Sequence, residues 1–279
     1  MTILEVINKT TPFFEKRGVE SPRLTIELLL AHVLQKKRLQ LYLEFERVLD
    51  EPTLAKLREM VRRRADGEPV QYITGEAEFH GLKFAVDRRV LIPRPETEHL
   101  VEAVIARDPK SIVDVCTGSG CIAVTLAKKL PAAEIFATDA SAEALAVARA
   151  NAERNGVEKN VRFFEGDLLS PLPSSTKVDA VVSNPPYIAS GDWAKLPKEV
   201  RDFEPALALT AGEDGLEIIR RLATTAGRVL SPTGFLALEM GAGQRAAVVE
   251  ILEANKFVIV EVVKDLQGHE RVIVAQPKQ

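Results

Sequence analysis

The chain has 279 residues, of which 46% are hydrophobic and 28% charged, and its formal net charge is -3. This length and apolar content predict one large domain and one small one, while the near balance of charges does not favour a nucleic-acid or membrane surface as partner. The two cysteines lack disulfide-framework spacing, the N-terminus lacks signal-peptide blocks and no apolar run approaches the roughly 18 residues of a membrane span, so we expect a cytoplasmic protein.

The first 75 residues have apolar side chains at helical spacing, which predicts a small all-helical domain. Ser21 before Pro22 offers a capping hydroxyl followed by a proline suited to the first helical turn. Residues 76–92 then alternate around His80-Gly81, which predicts a β-hairpin connector. The four histidines stand alone in the sequence, so no metal site is predicted.

Residues 93–279 predict a different architecture, with strands alternating with helices as in an α/β sheet covered on both faces. The expected strands are 111–116, 134–139, 161–164, 178–183 and 234–240, each separated from the next by a helix or a loop. Only residues 264–270 separate the final strands, 258–263 and 271–275. This connection is too short for a right-handed crossover, so we expect the final pair to be antiparallel or to lie apart.

A glycine-rich loop follows the first strand of this domain and opens its helix. There, glycines let a ligand approach the backbone and free amides point outward. Gly118, Gly120 and Ala123 fit the G-x-G-x-x-A dinucleotide pattern, and Asp139 lies about 20 residues on, where a carboxylate can bind ribose hydroxyls. Taken alone, this motif does not separate NAD from S-adenosylmethionine.

Two carboxylates and the final strand pair favour S-adenosylmethionine. Asp114, at the end of the strand before the loop, can face the ammonium group of this donor, whereas it would repel a pyrophosphate. Asp167 follows the third strand at the same edge and can hold the adenine amino group, with Leu168 beside it. The antiparallel final pair resembles the seven-stranded sheet of class I methyltransferases.

The sequence Asn-Pro-Pro-Tyr at residues 184–187 ends the fourth strand, where doubly wound sheets bind ligands. The two prolines fix the backbone and have no N–H, so the carbonyl groups here are rigidly aimed. An amide or ring amine is a poor nucleophile, and the Asn184 side-chain oxygen and the Pro185 carbonyl can each accept one of its N–H groups. Tyr187 offers a face for a planar group. Positioning of a nitrogen for methylation is the chemistry we predict.

With these residues, the chain resembles the HemK/PrmC family of peptide chain release factor glutamine methyltransferases over nearly its full length. The resemblance is carried by QYITGEAEF at residues 71–79, LIPRPETE at 91–98, SNPPYI at 183–188 and FEPALAL at 203–209. The NPPY motif alone is shared with DNA adenine methylases, so the flanking segments make the match specific.

The resemblance implies a fold, a substrate and a set of site residues. The fold is a class I S-adenosylmethionine-dependent methyltransferase at residues 93–279, Rossmann-like with an antiparallel last strand, after a helical substrate-recognition domain at 1–75. The substrate is the glutamine of the Gly-Gly-Gln motif in class 1 release factors. The implied catalytic and substrate-binding residues are Asn184, Pro185, Pro186 and Tyr187. The implied cofactor-binding residues are Asp114, Cys116, Thr117, Gly118, Ser119, Gly120, Asp139, Asp167, Leu168 and Asn184. Family members commonly have glycine in place of Cys116.

Other functions stay open from the sequence. The acceptor could be a ribosomal-protein glutamine or a nucleic-acid exocyclic amine, although only 5% of the residues are aromatic and the chain is slightly acidic, which weighs against a nucleic-acid groove. An NAD-dependent dehydrogenase would leave residues 184–187 unexplained. A non-catalytic module would bind a release factor or ribosome without turnover.

Overall fold

The computed structural model describes residues 1–278 and resolves two compact units. The first unit comprises Met1–Gly75 together with Pro197–Phe203, and the second comprises the rest of the described chain, which includes the hairpin segment. Within residues 1–278 no helix combines the length and the apolar character that crossing a bilayer requires.

The first unit is all-helical, as the sequence predicts. Its core is built from buried aliphatic side chains and Phe14 on the facing sides of its helices, because apolar positions three and four apart form one face. Its helices are α1 (Ile3–Lys16), α2 (Pro22–Leu34), α3 (Arg38–Leu41), α4 (Glu51–Ala65), α5 (Val70–Thr74) and α9 (Lys198–Arg201).

Capping explains where two of these helices begin, and corrects one prediction. Thr2 and Glu5 form a reciprocal capping box at the start of α1, and Asp50 accepts the Thr53 amide at 2.9 Å at the start of α4. The predicted cap by Ser21 is wrong. Helix α2 does begin at Pro22, but Ser21 has a left-handed backbone with φ of 45° and its hydroxyl makes no capping hydrogen bond.

The second unit contains a two-stranded hairpin and a seven-stranded sheet with helices packed on it. The hairpin strands are β1 (Glu76–Phe79) and β2 (Leu82–Ala85). The sheet strands are β3 (Ser111–Val115), β4 (Glu134–Asp139), β5 (Val161–Glu165), β6 (Val178–Ser183), β7 (Leu230–Glu239), β8 (Phe257–Lys264) and β9 (Glu270–Pro277). The helices are α6 (Glu98–Ile105), α7 (Cys121–Lys129), α8 (Ala142–Arg154), α10 (Glu217–Val229) and α11 (Arg245–Ala254). Short 3₁₀ turns occupy Pro95–Thr97, Ser190–Lys195 and Ala206–Ala208.

The strand order is β5-β4-β3-β6-β7-β9-β8, with β9 antiparallel to both of its neighbours. This confirms the predicted class I methyltransferase sheet, including its antiparallel final pair. The order reverses between β3 and β6, because the chain runs outward through β4 and β5 and then crosses back. A switch point of this kind leaves a crevice at the carboxyl ends of the strands.

The register of the parallel strands brings three chain segments together at this crevice. Val115 pairs with Thr138 on β4 and with Ser183 on β6. The residues that follow β3, β4 and β6 therefore emerge side by side at one edge of the sheet.

Asn151 explains how the hairpin is attached to the same edge. This asparagine is fully buried in the alanine-rich helix α8. Its side chain accepts from the Ala85 amide at 2.7 Å and donates to the Ala85 carbonyl at 3.0 Å and the Ser119 carbonyl at 2.9 Å. One side chain thus joins β2 to the loop between β3 and α7, with its hydrogen-bonding capacity used inside the protein.

Candidate active site

The loop at residues 116–120, here called the glycine loop, turns sharply from β3 into α7. Cys116, Gly118 and Gly120 have φ values of 61°, 55° and 79°, all in the left-handed region. Glycine adopts this region without steric cost. A Cβ on Gly120 would lie 3.0 Å from the Ala148 Cβ, so this glycine also permits the close packing of α7 on α8.

Asp114 is fully buried beneath the glycine loop. Its Oδ2 accepts from the Thr117 hydroxyl at 2.6 Å and from the Ala123 amide at 3.1 Å, while its Oδ1 has no partner among the described residues. Burial raises the pKa of this carboxyl to about 7, against the effect of the two donors and with Asp139 adding to the rise. The carboxyl of Asp114 therefore holds the glycine loop and the start of α7 in place through these two hydrogen bonds.

Asp139, at the end of β4, faces the glycine loop from the neighbouring strand. Its Oδ2 accepts from the Gly118 amide at 2.8 Å and its Oδ1 from the Ser141 amide at 2.9 Å. Burial raises the pKa of the carboxyl, and the backbone donors oppose that rise. Each carboxylate oxygen can accept a second hydrogen bond, so Asp139 retains acceptor capacity for hydroxyl groups of a ligand.

The turn after β5 places Asp167 and Leu168 at the same edge. The exposed Asp167 carboxylate forms an ion pair with Arg221 of α10. Leu168 has a left-handed backbone with φ of 50°, which is uncommon for a bulky residue. The turn presents an apolar side chain and a paired acid next to each other.

Residues 184–187 directly follow β6, next to the glycine loop. The Asn184 Nδ2 donates to the Thr97 hydroxyl at 3.1 Å, and its Oδ1 accepts no hydrogen bond from the described residues. The Pro185 carbonyl likewise accepts no hydrogen bond from a backbone amide within residues 1–278. The Tyr187 hydroxyl donates to Glu239 at 3.4 Å, and burial together with this carboxyl raises the pKa of the phenol well above its usual value.

One cavity, with an empty volume of about 910 Å³ including the part that opens to solvent, joins most of these groups. Of the residues predicted from the sequence, those on its wall are Cys116, Gly118, Asp139, Asp167, Leu168, Asn184 and Pro186. The predicted residues that do not line the cavity are Asp114, Thr117, Ser119, Gly120, Pro185 and Tyr187. The structure thus brings the glycine loop, the two acids Asp139 and Asp167, and Asn184 to a single site.

Sequence reasoning gave no role to several other residues that form this site. The wall also contains residues 89–91, Pro205, Leu207, Ala208, Ile218 and Arg221. Glu204, which precedes Pro205, is 5% exposed and accepts both from the Ile92 amide at 3.2 Å and from Arg94. The segments LIPRPETE and FEPALAL are therefore joined in space, which gives a physical reason for two motifs that had served only to mark the resemblance.

The charges on the wall suit a nucleoside better than a pyrophosphate. The two cations there are paired with acids, Arg89 with Asp87 at 2.6 Å and Arg221 with Asp167. A diphosphate would need free cations or amides, and the Gly118 amide already donates to Asp139. Neutral ribose hydroxyls and an apolar ring fit these groups, as S-adenosylmethionine would require.

The two cysteines are free thiols with partly buried side chains. Burial raises the pKa of Cys116 and of Cys121 to about 12, with nearby carboxylates adding to the effect. Nucleophilic chemistry needs the thiolate, so at neutral pH neither side chain is poised for it.

Cys116 has a left-handed backbone, which costs a residue with a Cβ about 1–2 kcal/mol. We therefore expect Cys116→Gly to stabilise the folded chain by roughly 0.5–1 kcal/mol after the greater flexibility of glycine in the unfolded chain is subtracted. Cys116→Ala, which removes the sulfur but keeps the Cβ, is the control. Chemical denaturation would measure both, and a glycine variant no more stable than the alanine variant would contradict strain at this position.

The sheet order, the glycine loop with its following acid, and the Asn-Pro-Pro-Tyr motif at the switch point define a class I methyltransferase. Solved structures agree on the fold. A methyltransferase from Pyrococcus furiosus superposes with a TM-score of 0.56 at 18% identity, covering 72% of this chain and 91% of that one. A ribosomal protein L11 methylase from Lactobacillus delbrueckii subsp. bulgaricus gives 0.50 at 24% identity, covering 67% and 81%.

The chain belongs to the release factor glutamine methyltransferase family. Residues 5–75 match the PrmC N-terminal domain and residues 95–197 match the methyltransferase small domain. The release factor glutamine methyltransferase of Chlorobaculum tepidum is 45% identical over 97% of this chain and 95% of that protein. That of Koribacter versatilis is 42% identical over 99% of both. The predicted family is confirmed, and the dehydrogenase alternative is wrong.

Proposed function

We propose that this enzyme transfers a methyl group from S-adenosylmethionine to the side-chain amide nitrogen of the glutamine in the Gly-Gly-Gln motif of class 1 peptide chain release factors. The observation that carries the proposal is the Asn184 side chain. Its nitrogen donates a hydrogen bond to Thr97. Its oxygen accepts no hydrogen bond from the described residues, and Asn184 lies on the wall of the cavity. Family membership supports the same acceptor.

The acceptor geometry at residues 184–187 supplies what an amide nucleophile needs. A glutamine amide nitrogen has two N–H groups and a delocalised lone pair. The Asn184 side-chain oxygen and the Pro185 carbonyl accept one N–H each, which orients the nitrogen so that its lone pair points toward the methyl group to be transferred. Pro185 and Pro186 are buried and have no N–H, so the segment has little freedom to move these acceptors.

The remaining residues have separate tasks. Asp139 would hold the ribose hydroxyls of S-adenosylmethionine, the glycine loop would contact this donor, and Leu168 and Asp167 would hold its adenine. When bound, S-adenosylmethionine supplies an electrophilic methyl group. The attacking nitrogen becomes acidic as it gains positive charge, and it then releases a proton to water. Positioning therefore carries most of the rate, without a basic side chain.

A methyl-transfer assay with radiolabelled S-adenosylmethionine tests this proposal. The acceptor is an unmodified class 1 release factor, and the matched control is the same protein with its Gly-Gly-Gln glutamine replaced by alanine. We expect label in the first and none in the second. Equal labelling of both, or labelling only of ribosomal proteins or nucleic acids, would reject this acceptor and keep the donor.

A further inference from the structure

Two buried side chains behind residues 184–187 hold the polar groups of that segment. Thr97 ends the 3₁₀ turn Pro95–Thr97 and Glu239 ends strand β7, and each is 1% exposed. Neither lines the cavity. Their hydrogen bonds to residues 184–187 are those of Thr97 with Asn184 and of Glu239 with Tyr187.

Thr97 controls which end of the Asn184 amide faces the cavity. An asparagine amide can turn over, which exchanges an acceptor oxygen for a donor nitrogen at nearly the same place. The Asn184 Nδ2 donates to the Thr97 hydroxyl oxygen at 3.1 Å. In the opposite orientation the Asn184 oxygen would face Thr97, and it would need the single hydroxyl proton of Thr97 as its donor.

Glu239 is connected to the same segment through Tyr187, whose hydroxyl donates to it at 3.4 Å. Burial raises the pKa of the Glu239 carboxyl to about 7, and the Thr97 hydroxyl opposes that rise. The hydrogen bond that fixes the Asn184 amide is the one from its nitrogen to Thr97.

We infer that Thr97 is a positioning residue: by accepting a hydrogen bond from the Asn184 Nδ2, it holds the amide with its oxygen toward the acceptor nitrogen. The consequence for methyl transfer rests on the proposed function of the Asn184 oxygen, whereas the fixed orientation of the side chain does not.

Two substitutions of Thr97 separate this role from packing. Thr97→Val keeps the shape and removes the hydroxyl, and Thr97→Ser keeps the hydroxyl and removes a buried methyl. We expect the valine variant to lose about tenfold in kcat, the value of one well-placed hydrogen bond, with an unchanged Kd for S-adenosylmethionine. We expect the serine variant to keep most of its kcat although its melting temperature falls.

A second measurement uses the protein without ligand or substrate. The side-chain amide protons of Asn184, assigned by their loss in Asn184→Ala, are followed by ¹⁵N NMR for exchange with water. We expect slow exchange in the wild type and in Thr97→Ser, and faster exchange in Thr97→Val, which lacks the oxygen that accepts the Asn184 hydrogen bond.

The outcomes distinguish the inference from the proposed function. Faster exchange in Thr97→Val supports the inference even if the wild-type enzyme fails to methylate the release factor. An exchange rate equal to wild type in Thr97→Val would overturn it. A kcat that follows melting temperature, lower in the serine than in the valine variant, would also overturn it, because that is the order expected from packing.

Discussion

Replacing Asn184 by alanine is expected to lower kcat for release factor methylation by about 10²- to 10³-fold, the size seen when one preorganised polar group is removed from a reacting centre. The reason is geometric. The variant loses the only acceptor on the Asn184 side chain, and the substrate amide then keeps its lone pair delocalised. Steady-state kinetics with release factor as acceptor and calorimetry with S-adenosylmethionine measure the two effects separately. Equal losses of turnover and of donor affinity would contradict the assigned role.

Asp139→Ala is the reciprocal variant. Its carboxylate organises Gly118 and Ser141 on the donor side of the cavity. We expect donor affinity to fall by about tenfold or more, as for loss of charged hydrogen bonds, with a smaller change in kcat at saturating donor. An unchanged Kd for S-adenosylmethionine would remove Asp139 from the ribose site.

Replacing Gly215 by alanine is expected to have the largest effect on folding. Gly215 has φ of 75°, and a Cβ there would lie 2.3 Å from the Tyr187 carbonyl oxygen and 2.9 Å from the Ala189 amide nitrogen. Both contacts are with backbone, so relief requires residues 184–187 or the start of α10 to shift. We expect a loss of about 2–4 kcal/mol in unfolding free energy, from left-handed strain together with overpacking, and a fall in kcat among molecules that remain folded.

Gly227→Ala is the matched control for this prediction. Gly227 lies inside α10, and a Cβ there meets nothing within 4 Å. Alanine in a helix interior is favoured over glycine by about 0.5–1 kcal/mol, so this variant should be slightly more stable than wild type. Chemical denaturation measures the unfolding free energy of both variants, and steady-state kinetics measures their kcat. Similar small effects at the two positions would show that the approach of Gly215 to Tyr187 is not a constraint.

Much of the sheet was predictable because buried parallel strands are short apolar runs with clear ends. Strand β6 has the bounds that the sequence predicts, and β3 ends one residue earlier than expected. Strand β7 begins at Leu230, four residues before its predicted start, because Ser231, Pro232 and Thr233 read as a loop. Propensity does not reveal that Leu230 pairs with Val178 of β6 before a register shift, after which pairing resumes at Phe235.

The site was predictable only where chain order implies position. Asp139 ends β4 and Asn184 follows β6, the two parallel strands that flank β3, so their proximity follows from the topology. Thr97 lies 87 residues before Asn184, and no spacing rule connects it to the motif or to Glu239. Asp114 shows the opposite difficulty. An acid at a strand end can face either the ligand or the loop that follows the strand. Asp114 faces the loop, because the chain turns sharply at Cys116 and passes over it.

The measurement that tests the account most directly is mass spectrometry of an unmodified class 1 release factor after incubation with this enzyme and S-adenosylmethionine, with fragmentation to place the added methyl group. The account predicts one methyl on the side-chain nitrogen of the Gly-Gly-Gln glutamine, and its loss with the Asn184→Ala enzyme. A methyl group elsewhere in the release factor, or none despite measurable donor binding, would contradict the assigned acceptor.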